Sequence, residues 1–270
     1  MGSAVAVVGA GTVGFVEIGP RRVLNRVGLL DSPDHHVPES GWPIVERTLA
    51  STAVNGDVRW AVASPPGGAR GVIVCLHGRH GDRRSTFDNV HIHDVVADLG
   101  HDFAVVAVDG GEDSYWHPRL DGTDALTMVT DELLPAIDGE LGHGLPRAVL
   151  GWSMGGYGAL LVAETAPDRF RAAVAASPAL WPDFSHSSAG AFDDADDFSR
   201  FDVRRNVAAL STLTVRVDCG TDDGFVGEAR SFAELLPRPN PGRFTEGFHD
   251  DAYWRSVAPA QIATIATALA

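Results

Sequence analysis

The sequence predicts an α/β fold: an open, mostly parallel, doubly wound sheet with helices on both faces. Alternating or continuous apolar runs of strand length are interleaved with helical patterns through most of the chain, as such a sheet requires. A length of 270 residues with 44 % hydrophobic content can fill one large α/β core or two small ones.

Residues 1–43 stand apart from this rhythm. Ala4 to Ile18 is apolar and Gly-rich, too short to span a bilayer and without the basic start of a secretion signal. It reads either as the remnant of a signal or anchor, which would place the protein outside the cell or on its envelope, or as part of a cytoplasmic chain. Association with a membrane stays open at this point. Gly19 to Pro43 carries four prolines and no sustained periodicity, and is expected to be an arm hugging the surface.

The α/β domain is expected over 44–270. Strands are predicted near 45–52, 57–63, 71–77, 103–109, 147–151, 171–177 and 212–219, with a weaker one at 242–246. Helices are predicted near 86–99, 124–141, 154–165, 226–236 and 256–269. Residues 178–200 interrupt the alternation with an acidic run, Asp193-Asp194-Ala195-Asp196-Asp197. It lacks the alternating oxygen ligands and turn glycine of a calcium loop, so a solvated acidic insertion is expected there. An insertion at that point of an open sheet can also shape the mouth of a site.

A formal net charge of −15 repels phosphate backbones and anionic headgroups, which argues against nucleic-acid partners. Cys75 and Cys219 each sit in an apolar run and read as buried thiols.

The chemistry is carried by Gly151-Trp152-Ser153-Met154-Gly155, between a predicted strand and a helix of small residues. A G-x-S-x-G turn in that setting strains the serine backbone and projects its hydroxyl at a helix N-terminus, where negative charge is favoured. A serine needs a base to take its proton and an acid to hold that base, both downstream in this topology. The strand ending at Cys219 runs into Gly220-Thr221-Asp222-Asp223-Gly224, so the acid is expected on that loop, and one of the two carboxylates is free to cap the following helix. His249, in a loop before the final helix, is the candidate base. An oxyanion also needs backbone N–H donors: one from Met154, and one from the turn after the strand that ends in Leu76-His77-Gly78, at Arg79.

Other motifs carry less. Val7 to Gly14 spells the G-x-G-x-x-G of a dinucleotide site and Asp31 lies at the right distance, but Gly19-Pro20 would break the helix such a site needs. His77 with His80, and His91 with His93, lack a carboxylate or thiolate cluster for a metal. No cofactor and no metal are expected.

With these residues in view, the chain resembles the esterase family of α/β hydrolases that includes S-formylglutathione hydrolase, feruloyl-type esterases and the antigen 85 mycolyltransferases. The resemblance spans about residues 45–268 and leaves the arm outside. It rests on Leu76-His77-Gly78, Val108-Asp109-Gly110-Gly111 with Ser114-Tyr115-Trp116, Asp131 to Pro135, Gly151 to Gly156, Cys219 to Phe225, and His249 with Tyr253-Trp254. It implies an α/β-hydrolase fold and a serine esterase with Ser153 as nucleophile, Asp223 as acid, His249 as base, and Arg79 and Met154 as oxyanion donors. The antigen 85 enzymes use Glu as the acid and lack the His77-Gly78 pair, yet transfer of an acyl group to a sugar or other alcohol uses the same triad and stays open. A non-catalytic binding protein is disfavoured because all three triad residues are present. Trp116, Trp152, Trp181 and Trp254 lie near these segments and are candidates to bind a small-molecule, lipid or aryl ester. Since the hydrolase pattern begins after the arm, the arm is expected to be dispensable for activity.

Overall fold

A computed structural model describes residues 20–270. The apolar stretch 4–18 and its Gly-rich dinucleotide-like motif lie outside the described residues. Eight strands form one sheet: β1 (Ile44–Ser51), β2 (Gly56–Ala63), β3 (Gly71–Leu76), β4 (Phe103–Val108), β5 (Arg147–Trp152), β6 (Ala172–Ala176), β7 (Thr214–Gly220) and β8 (Phe244–Thr245). Their order is β1-β2-β4-β3-β5-β6-β7-β8, with β1, β2 and β4 joined antiparallel and all later pairs parallel. The fold is that of the α/β hydrolases.

The helices are α1 (Pro20–Arg26), α2 (Ile92–Asp98), α3 (Ala125–Thr127), α4 (Leu134–Leu141), α5 (Met154–Thr165), α6 (Ala195–Arg200), α7 (Val226–Leu235) and α8 (Asp251–Leu269). Strands β3, β4, β5 and β6 are buried along their whole length, because helices cover both faces. Side chains alternate across the sheet. Val72, Val74 and Leu76 join α4 and α5 in one core, while Ile73 and Cys75 join α2 and α8 in the other. Cys75 and Cys219 are free, buried thiols whose pKa values burial raises.

Two elements differ from the sequence expectation in instructive ways. The helical pattern at 86–99 is broken into a π-helical turn, Ser85–Asn89, and α2, with His91 between them at φ 56°. The last helix starts at Asp251, five residues before its apolar periodicity begins, because the Asp250 side chain accepts the Tyr253 N–H and caps it. In the acidic run, Asp194 caps α6 by accepting the Asp197 N–H. Asp193 pairs with Arg119 at 2.9 Å and accepts the Leu120 N–H. The run is thus in part a set of caps and ion pairs, with Asp194 and Asp196 exposed and Asp193 and Asp197 half-buried.

Beyond α1 the arm runs to Pro43 without helix or strand. Val37 is buried in the α2–α8 core, Asp34 forms a two-point ion pair with Arg255, and the Ser40 N–H donates to Asp94.

On α5, Glu164 is buried and its Oε2 has no hydrogen-bond partner among the described residues. Burial first, and the charge of Asp202 second, push its carboxyl up to about 8. A carboxyl that holds its proton more tightly when folded favours the fold most below its unfolded pKa, and that stabilisation is lost as pH rises toward the folded value. Glu164→Gln is therefore expected to gain stability over the wild type progressively between about pH 5 and 8. The gain should reach a few kcal/mol at most, since each tenfold change in proton affinity is worth roughly 1.4 kcal/mol. Urea denaturation at several pH values checks this, and a difference that does not change with pH would refute it.

Candidate active site

Ser153 sits where β5 turns into α5, at φ 55° and ψ −121°, a conformation that L-residues rarely hold. The turn is tight enough to exclude side chains on either side. A Cβ on Gly151 would lie 2.1 Å from the Gly155 carbonyl oxygen, and one on Gly155 would lie 1.9 Å from that of Leu76. Those two glycines let β5, α5 and the end of β3 meet at backbone contact.

Two later loops bring the other groups to Ser153. Asp223 follows β7, and His249 lies between β8 and α8, so both come from the C-terminal edge of the sheet, where groups of open α/β folds converge. The Ser153 Oγ is 2.8 Å from His249 Nε2, and His249 Nδ1 is 2.8 Å from Asp223 Oδ2. Asp223 is 1 % exposed, and its other oxygen accepts the Phe225 N–H at 2.9 Å. Burial alone would raise its pKa, but the neighbouring His249 charge and the hydrogen bonds from His249 and Phe225 hold it below the ordinary carboxylate range. Asp222 turns the other way, accepting Arg21 Nε at 3.0 Å. Phe225 and Trp254 flank the His249 ring, each with its centroid 5.3 Å away.

The loop after β3 crosses directly over the serine: a Cβ on Gly78 would sit 3.5 Å from the Ser153 Cβ. His77 shapes this loop from beneath. It is buried, one ring nitrogen lies 2.8 Å from the Gly78 carbonyl oxygen, and the other accepts the Gly110 N–H at 3.0 Å. Its Nδ1 is therefore the donor, and burial lowers its pKa, so the ring is the neutral Nδ1–H tautomer. The N–H groups of His80 and Gly81 are taken by Glu112 and Gly78, whereas the Arg79 N–H has no acceptor among the described residues. Met154 supplies the first N–H of α5, which has no partner inside the helix.

A cavity of about 500 Å³ opens above the serine, lined by Gly78, Arg79, Tyr115, Trp152, Phe225, His249 and Trp254, among others. Of the four candidate tryptophans, Trp152 and Trp254 line it. Trp116 does not: it is fully buried under Gly110 and Gly158, where any Cβ would lie within 2.5 Å of the indole, and beside His77. Trp181 also lies outside the lining, packed against Tyr115, Phe192 and Phe225. Tyr115 and Ser188 line the cavity without having been expected to, and Arg79 reaches it with its guanidinium paired to Asp113 at 2.6 Å. No local pattern announces Ser188, whereas Tyr115 adjoins the candidate Trp116 in sequence.

Comparison with known proteins places this geometry in context. The esterase family model matches residues 51–259. Among solved structures, a ferulic acid esterase is similar at 22 % identity and TM-score 0.72, covering 83 % of this chain and 98 % of that one. An S-formylglutathione hydrolase from Agrobacterium tumefaciens is similar at 17 % identity and TM-score 0.71, covering 89 % and 100 %. The MPT51 protein of Mycobacterium tuberculosis follows at 20 % identity and TM-score 0.70, covering 84 % and 99 %. No curated protein matches the sequence.

The glycine contacts give a direct test of the turn. Gly151→Ala and Gly155→Ala are each expected to cost about 3 kcal/mol or more, because the clash is with rigid backbone. Gly227→Ala on α7, where a Cβ meets nothing within 4 Å, is expected to add up to about 1 kcal/mol. Denaturant unfolding of the three variants measures both signs.

Proposed function

The chain belongs to the esterase family, and from that premise we propose that it is a serine esterase cleaving small carboxylic esters through an acyl-enzyme, with Ser153 as nucleophile, His249 as base and Asp223 as acid. The observation that carries this is the unbroken hydrogen-bond chain Ser153–His249–Asp223, at 2.8 Å for each link.

As Ser153 Oγ attacks the ester carbonyl carbon, its proton passes to His249 Nε2. Asp223 fixes the tautomer by accepting Nδ1–H and stabilises the imidazolium that forms, and its lowered pKa keeps it ionised for that role. The carbonyl oxygen becomes an oxyanion, met by the N–H groups of Arg79 and Met154. The imidazolium then gives its proton to the departing alcohol, leaving the acyl group on Ser153. Water, deprotonated by His249, repeats the sequence and releases the acid.

Trp152, Trp254, Tyr115 and Phe225 offer the cavity apolar faces for an acyl or aryl group, and a volume of about 500 Å³ suits small esters. Hydrolysis of p-nitrophenyl esters is expected, and a chain-length series on the purified protein would report which acyl groups the cavity accepts.

Ser153→Ala is expected to fold normally yet lose both hydrolysis and covalent labelling by a fluorophosphonate; undiminished labelling would overturn the assignment. Asp223→Asn should lower kcat by something on the order of 10⁴-fold, since the amide favours the wrong histidine tautomer. Asp222→Asn should cost far less, and the reverse ranking would exchange the two roles.

A further inference from the structure

The family match begins at residue 51, yet the segment before it touches both loops that carry Asp223 and His249. Ser32 is the central contact. Its buried Oγ accepts the Phe248 N–H at 2.9 Å and donates to Asp250 Oδ2 at 2.9 Å, so one hydroxyl bridges the residues on either side of His249. The other Asp250 oxygen caps α8. His249 itself is exposed, with 31 % of its side chain accessible, so the neighbours of its backbone must do much to fix it.

The same segment reaches the acid loop. Arg22 donates from Nε to the Asp222 carbonyl and from Nη2 to the Asp223 carbonyl, both at 2.6 Å. Arg21 pairs with the Asp222 and Glu246 carboxylates, spanning the two loops. Without these contacts the loops are joined by few bonds: Thr221 N–H to Thr245, Asp222 N–H to Gly247, and the His249–Asp223 bond itself. Tightly placed acid and base are what proton transfer from a serine demands, and a displacement of about 1 Å can cost on the order of 10²-fold in rate.

We propose that the N-terminal segment is a positioning element of the active site, with Ser32 holding the His249 loop and Arg21 and Arg22 holding the Asp223 loop. This rests on the esterase assignment above. It reverses the expectation that the arm is dispensable, since the bonds fall on the residues adjoining the acid and the base.

The test compares full-length Ser32→Ala and Ser32→Thr with the wild type on p-nitrophenyl acetate, well below their unfolding temperatures. Active sites are counted by fluorophosphonate labelling. Ser32→Ala is expected to lower kcat at least about 10-fold with KM changed less than about 3-fold, and Ser32→Thr, which keeps the hydroxyl, to recover most of the loss. A purely structural serine would lower the melting temperature and leave kcat per active site unchanged, and that result overturns the proposal. If Ser32→Ala does not fold, Arg22→Gln decides the question instead: a drop in kcat of several-fold supports the proposal and an unchanged kcat refutes it. If the wild type neither labels nor hydrolyses, the esterase assignment fails on its own. The positioning claim is then judged by the low-field proton resonance of His249 Nδ1–H, which should weaken or shift in Ser32→Ala and return in Ser32→Thr; an unmoved resonance refutes it.

Discussion

The serine side of the candidate site depends on one backbone contact, the meeting of β5, α5 and the end of β3 around Ser153. Only glycine fits at 151 and 155, because the carbonyl oxygens of Gly155 and Leu76 already occupy the space of a Cβ. The left-handed serine costs on the order of 1–3 kcal/mol. Its surroundings hold it there by bonding its whole backbone: its N–H goes to Ala176, and its carbonyl accepts from Tyr157 and Ala179. That contact brings the Gly78–Arg79 loop over the serine, since the loop leaves β3 at the residue after Leu76 and His77. The hydroxyl and the two free N–H groups are thus placed by one short-range arrangement.

Asp223 and His249, the proposed acid and base, are placed in another way. Asp222 and Asp223 are neighbours with opposite surroundings, one facing Arg21 at the surface and the other enclosed beside His249. An enclosed carboxylate would be expected to hold its proton, and Asp223 does the reverse because the groups around it point positive charge and N–H bonds at both its oxygens. The geometry that orients His249 is the same geometry that keeps its partner ionised.

Much of this was legible in the residues alone. The predicted strands agree with the observed ones to within about two residues: β3 to β6, buried on both faces, leave short continuous apolar runs bounded by turn residues, and the half-exposed β1 alternates. The serine turn was legible for a related reason: its glycines answer a local steric demand. What escaped was of two kinds, local backbone and capping details that periodicity does not record, and packing between distant residues. His91 breaks a helical pattern that looks continuous, and Asp250 starts α8 early through a side-chain cap that periodicity does not register. Four tryptophans near the site look alike as letters, yet Trp116 is buried in space left by the absence of a Cβ at Gly110 and Gly158, which lie far apart in sequence.

The same distinction separates the two halves of the site. Residues 76–81 and 151–158 make the serine side from motifs whose steric requirements can be read in any chain that carries them. The side that carries Asp223 and His249 is closed by contacts between residues some 200 positions apart in sequence, made by an ordinary serine and two arginines in a segment without a pattern of its own. Single hydrogen bonds of this kind place few demands on the surrounding sequence, so a different residue or a different segment could satisfy the same loops in another chain. The family model matches from residue 51, and on the positioning role proposed above the site reaches about thirty residues earlier, to Arg21 and Arg22.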